Sequence, residues 1–91
     1  MSRAIEHNSV MQRFEWVEGG MLSVLDYQIQ NGVMTITHTG VPEALGGRGI
    51  AGDLAKAALY NARDQGLKVR PLCSYVAAYI KRHPEYEDLL A

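Results

Sequence analysis

Over Gln12 to Glu18, QRFEWVE, apolar and polar residues alternate, with Phe14 and Trp16 on one face and Arg13 and Glu15 on the other. A period of two is that of a half-buried strand. Gly19-Gly20 reads as a hairpin turn, and MLSVLDY from Met21 to Tyr27 as the strand returning from it. Asn31-Gly32 is the pair favoured in a tight type I′ loop, because both positions need a positive φ. After it VMTITHT alternates again, placing Met34, Ile36 and His38 on one side and Val33, Thr35, Thr37 and Thr39 on the other. Gly40 and Pro42 end that ladder, since proline has no N–H to give it.

The period then lengthens. From about Arg48 to Gln65, Ile50, Leu54, Ala57, Ala58, Leu59 and Ala62 form a stripe with steps of three and four, which predicts a helix with Asp53, Lys56, Arg63 and Asp64 largely off it. Gly66 stands where the left-handed residue after a helix is wanted. Leu67 to Cys73, LKVRPLC, predicts a short strand that bends or stops at Pro71, and Ser74 an N-cap for a helix YVAAYIKRH closed by His83-Pro84. EYEDLLA predicts one more helical turn, while Met1 to Met11 has no clear period and reads as a loop or short lead-in.

The predicted order is β-β-β-α-β-α, an α+β (α/β) mixed sheet: a three-strand antiparallel meander, then a parallel β-α-β crossover with a C-terminal helix. A right-handed crossover sets the fourth strand parallel to the third, so their carboxyl ends meet near the loop that opens the first helix. No repeat, linker or low-complexity segment interrupts residues 1–91, which are expected to form one domain.

Composition narrows the partners. With 47% hydrophobic and 21% charged residues the chain is an ordinary globular one, and a net charge of -1 disfavours nucleic-acid binding by bulk charge. One cysteine, Cys73, forms no internal disulfide and no zinc site alone, so no metal is expected. No apolar run reaches the length of a membrane span, and a cytoplasmic location is the expectation.

Candidate chemistry concentrates in Val41 to Gln65, where Gly46, Gly47, Gly49 and Gly52 lead into the helix. Glycines at a helix start permit close approach of backbone to a ligand, and the free N–H groups and dipole there favour an anion such as a pyrophosphate. Arg48 could add a charged donor; a tight turn without ligand is the plainer reading. Cys73 reads either as a small buried hydrophobe or as a thiol lowered by the helix that follows it. His38, on the Met34–Ile36 face, is either a core histidine or a general base, and Glu43 is a second candidate base or a carboxylate serving the helix dipole. Lys81, Arg82 and His83 form a small basic cluster whose plainer role is a solvated helix end.

Val41-Pro42 followed by Gly46-Gly47-Arg48-Gly49-Ile50-Ala51 resembles the acyl-CoA pyrophosphate loop of the GNAT superfamily of N-acetyltransferases. Gly49 and Ala51 match its two small positions, and Gly46 stands where Gln or Arg is usual. His38-Thr39, Val41-Pro42-Glu43, Pro71-Leu72-Cys73, Ala78-Tyr79-Ile80 and His83-Pro84-Glu85-Tyr86 together resemble the small single-domain GNAT-like proteins over about residues 5 to 90. The resemblance implies acetyl-CoA held between two splayed parallel strands, with Val41, Gly46, Gly47, Arg48, Gly49, Ile50 and Ala51 as cofactor-binding residues. It also implies that Cys73 is a site position. The superfamily's tyrosine acid has Lys81 in register here, with Tyr79 and Tyr75 as neighbours; Tyr79 is kept as a weaker catalytic candidate beside Cys73, His38 and Glu43.

The first functional expectation is an acetyl-CoA-dependent N-acetyltransferase acting on an amine of a protein, peptide or small molecule, by direct attack or through Cys73. The alternative is a non-catalytic CoA-binding or sensing module. Neither a membrane nor a nucleic acid is an expected partner, and the chain is expected as a monomer or weak homodimer, with Met21, Leu22 and Trp16 forming an exposed patch if the first hairpin is uncovered.

Overall fold

A computed structural model of the chain describes residues 3–91. Its elements are β1 (Glu6–Asn8), β2 (Arg13–Glu18), β3 (Met21–Gln30), β4 (Val33–Gly40), α1 (Ile50–Asp64), β5 (Lys68–Pro71) and α2 (Ser74–Arg82), with 3-10 turns at Glu43–Leu45 and Pro84–Leu89. They make one five-stranded sheet in the order β1-β2-β3-β4-β5. β1 to β4 pair antiparallel and β5 runs parallel to β4, so the predicted mixed sheet and crossover are present.

The lead-in contains a strand that periodicity does not show. Glu6, His7 and Asn8 pair with Glu15, Phe14 and Arg13, and His7 stacks on Phe14 with ring centroids 4.2 Å apart while its Nε2 hydrogen-bonds the Tyr27 hydroxyl. A strand of three largely exposed residues is held by its neighbours, and its own composition carries no signal. Both expected hairpin turns are of the primed kind, with positive φ at Gly19 and Gly20 and at Asn31 and Gly32.

The helices cover a single sheet face. Phe14, Leu25, Tyr27, Met34, Ile36 and Val69 point into a core completed by Ile50, Leu54, Ala55, Ala58, Leu59 and Ala62 of α1 and Val76 and Ile80 of α2. Ala55 is fully buried where the sequence stripe has Ala57, which is only half-buried; alanines facing the sheet let α1 approach closely. The opposite face carries Arg13, Glu15, Val17, Leu22, Val24, Asp26 and Thr35 and no helix lies on it among the described residues. Trp16 and Met21 pack against the core while Leu22 lies on the other face beside Val17, so the three do not form the expected patch.

α1 begins two residues later than Arg48 because Gly49, its N-cap, is left-handed at φ 79. It ends in a Schellman motif: Gly66, at φ 70, donates to Arg63 and Leu67 donates to the Ala62 carbonyl at 2.8 Å. Ser74 is the first helical residue of α2 and not its cap; Cys73 holds the cap position, without a capping side chain.

Candidate functional site

β4 and β5 pair only as far as Ile36 and Pro71. There the Ile36 carbonyl accepts from both Leu72 (3.0 Å) and Cys73 (3.1 Å), and β5 turns away into α2. At the same level β4 carries a bulge, since Asp26 pairs with His38 and Tyr27 with Ile36, leaving Thr37 as the extra residue. From Thr37 onward β4 is bonded to β3 alone, and the two parallel strands diverge into a cleft whose walls end at Val41 and at the start of α2.

The bulge reverses which side chains face inward, and this corrects the alternation read from the sequence. His38 is exposed on the uncovered face, not beside Met34 and Ile36. Its ring lies over the backbone of Gly40, where a Cβ would come within 2.8 Å of Nε2. Thr39 takes the inward position, with Oγ1 3.4 Å from Cys73 Sγ. Cys73 is partly buried; burial pushes its thiol up, but the Thr39 hydroxyl and the backbone groups of Val76, Tyr75 and Thr39 outweigh it and bring the thiol below its usual value.

Beyond Val41, the glycine loop bounds a cavity of about 280 Å³ lined by Val41, Leu45, Gly46, Gly47, Gly49, Ile50, Ala51, Gly52 and Tyr75. No side chain caps α1, and the first intrahelical bond runs from Asp53 N to Gly49 O at 3.1 Å. The N–H groups of Ile50, Ala51 and Gly52 therefore have no acceptor within the helix. Gly47 and Gly49 both have positive φ, and a Cβ on Gly46 would press to 3.2 Å on the Glu43 carbonyl. These are backbone demands that favour glycine, and they leave a concave rim of amide donors that fits a diphosphate.

The other predicted residues disperse around this cleft. Arg48 is not on the cavity wall; its Nη1 donates to Glu18 Oε2 at 2.7 Å across the β2–β3 hairpin. Glu43 is exposed in its 3-10 turn. Tyr79 stacks on His83 with centroids 4.0 Å apart and does not line the cavity, and burial pushes its phenol up, helped by Tyr86, Tyr75, Glu85 and Asp53. Tyr75, one turn earlier, is the tyrosine on the wall, with its hydroxyl against Gly52. Tyr75 and Thr39 are the residues that sequence reasoning did not assign; the i, i+4 spacing of Tyr75 and Tyr79 was the available signal for the first, and nothing local signals the second. A larger hollow of about 470 Å³ lies at Pro71, Ala77, Ala78, Lys81 and Leu90, apart from the glycine loop and from the thiol. Among the described residues no three His, Cys, Asp or Glu side chains group as metal ligands would, and no helix is long and apolar enough to cross a membrane.

A mixed five-stranded sheet whose parallel strands part beside an uncapped, glycine-led helix defines an α+β fold of the GNAT class. The chain belongs to the GCN5-related N-acetyl-transferase family, whose sequence profile matches residues 13–89. It is similar to protein NATD1 of Mus musculus, 36% identical over 83 residues that cover 88% of this chain and 76% of that protein, and to protein NATD1 of Danio rerio, 34% identical over 87 residues, 90% and 79%. Among solved structures it is similar to a GCN5-like protein of Staphylococcus aureus, with a TM-score of 0.74 and 29% identity over 96% of this chain and 86% of that one.

Proposed function

We propose that the chain is an acetyl-CoA-dependent N-acetyltransferase for an amine of a protein, peptide or small molecule. The observation that carries this reading is the position of the glycine-loop cavity beside the point where β4 and β5 part: Val41 and Tyr75 line the cavity, and Thr39 and Cys73, two residues before each, meet at 3.4 Å between the parting strands. Bound acetyl-CoA supplies an activated thioester carbonyl.

The amides of Ile50, Ala51 and Gly52, with the loop from Gly46 to Gly49, hold the diphosphate; Arg48 stays with Glu18 unless it exchanges partners. Backbone N–H groups of β4 near Val41, freed by the loss of β5, polarise the carbonyl. His38 lies on the uncovered face at the same end of β4, where an amine can approach from outside the core. It accepts the proton the amine must lose, the amine nitrogen bonds to the carbonyl carbon, and the carbon–sulfur bond breaks with the electron pair leaving on sulfur. Cys73 packs against the core with its sulfur on Thr39. Its lowered thiol and its contact with Thr39 favour a variant in which it takes the acetyl group first and passes it to the amine. A non-catalytic CoA-binding module is the second reading, favoured by Gly46 standing where a cation or amide side chain is usual and by Arg48 being already paired.

Calorimetry with acetyl-CoA and thiol release with a panel of amines test the reading. His38→Ala should lower thiol release about a hundredfold with binding kept, and Cys73→Ala should lower it only if acetyl passes through sulfur. Binding without release for any amine would leave the non-catalytic module; no heat with free or acetylated cofactor would remove both.

A further inference from the structure

Four charged side chains around the glycine loop are bound to one another. Arg3 Nη1 donates to Asp53 Oδ2 at 2.7 Å and its Nη2 donates to the Arg48 carbonyl at 2.8 Å. The same guanidinium lies 5.9 Å from the Trp16 ring centroid, and its Nε is 4.0 Å from Glu18 Oε1, the carboxylate that also receives Arg48. A residue ahead of β1 thus clamps the loop, the first turn of α1 and the β2–β3 hairpin together.

Asp53 lies in the first turn of α1, close to the uncapped amides. A carboxylate there suits a bare helix dipole, but it repels any second anion brought to the same turn. The Arg3 and Asp53 side chains are 21% and 28% exposed, so their pairing is screened by salt less than that of a free surface pair. We propose that Arg3 is a positioning residue for the anion site: it neutralises Asp53 and fixes the Arg48 carbonyl, so that the amides of Ile50, Ala51 and Gly52 receive a diphosphate without the carboxylate's repulsion. This rests on the reading of the glycine loop as the diphosphate site, and it assigns to a side chain outside the loop the charge balance on which affinity depends.

The test is titration calorimetry of the full chain with acetyl-CoA and, separately, with inorganic pyrophosphate. Arg3→Gln should weaken acetyl-CoA binding about tenfold, and adding Asp53→Asn should restore it to within about threefold, because the pair again carries no net charge. Loss of a purely structural clamp would persist in the double variant, which still lacks every Arg3 contact. Unchanged binding in Arg3→Gln, or a double variant as weak as the single one, overturns the inference. Pyrophosphate binding that weakens in Arg3→Gln and recovers in the double variant, with no uptake of acetyl-CoA by the wild-type chain, would sink the transferase reading and leave the charge balance standing. Uptake of neither overturns both.

Discussion

Burial raises the Cys73 thiol, yet the Thr39 hydroxyl and the amides at the start of α2 more than compensate, so the folded value lies below that of a free cysteine. A lower folded value puts thiolate, the reactive form, into a lower pH range. Alkylation of Cys73 by iodoacetamide should therefore show a lower midpoint in the folded chain than in the chain unfolded in urea, and Thr39→Val should move the folded midpoint upward. An unmoved midpoint in Thr39→Val would show that the hydroxyl has no hold on the sulfur. Cys73 was legible as a candidate because it follows Pro71 and precedes a helix, whereas its partner was not. Thr39 and His38 exchange faces through one extra residue at Thr37, and a bulge of that kind leaves the written alternation VMTITHT intact.

At the level of elements, the first turn of α1 depends on the left-handed conformation of Gly49. A Cβ there would meet only Arg3 Nη1, at 4.0 Å, so the space is open and the obstacle is the φ of 79. Gly49→Ala should cost about 1–2 kcal/mol in urea unfolding and weaken acetyl-CoA binding; a substitution neutral in both would mean that the loop readily takes another conformation. The glycine run, the α1 stripe, Asn31-Gly32 and Gly66 were legible because each is a local preference that the tertiary structure also satisfies. β1 was not, because EHN becomes a strand only through Phe14 beside it and Tyr27 beyond. The choice of a single covered sheet face was likewise unreadable, being settled by where both helices land and not by any one strand.

Across the whole molecule, the C-terminal turn is tied back onto the crossover. Arg63 Nη1 and Nη2 donate to Asp88 at 2.9 and 3.0 Å, Arg63 Nη2 also to the Glu85 carbonyl at 2.8 Å, and Lys68 Nζ to the Asp88 carbonyl at 2.8 Å. The Arg63 hydrogen bonds hold the Asp88 carboxyl below the usual carboxylate range. A carboxyl depressed on folding adds stability above its unfolded value and loses it as pH falls through the folded one. Amide exchange in Pro84–Leu89 should accelerate as pH drops below about 4, after correction for intrinsic rates, and Arg63→Ala should abolish that step. Equal acid dependence in both chains would detach the turn from this pair.

The same tether brings Leu90 into a parallel bridge with Val69 and lets Ala91 N donate to the Val69 carbonyl at 2.9 Å, on the free side of β5. The opposite margin is β1, three residues long and largely polar. Fibre growth proceeds by accretion of backbone along a rim, and here one rim is covered at Val69 while the other is only three residues long. Among the described residues the uncovered pleated surface is therefore not flanked by a long free edge along which copies of the chain could stack.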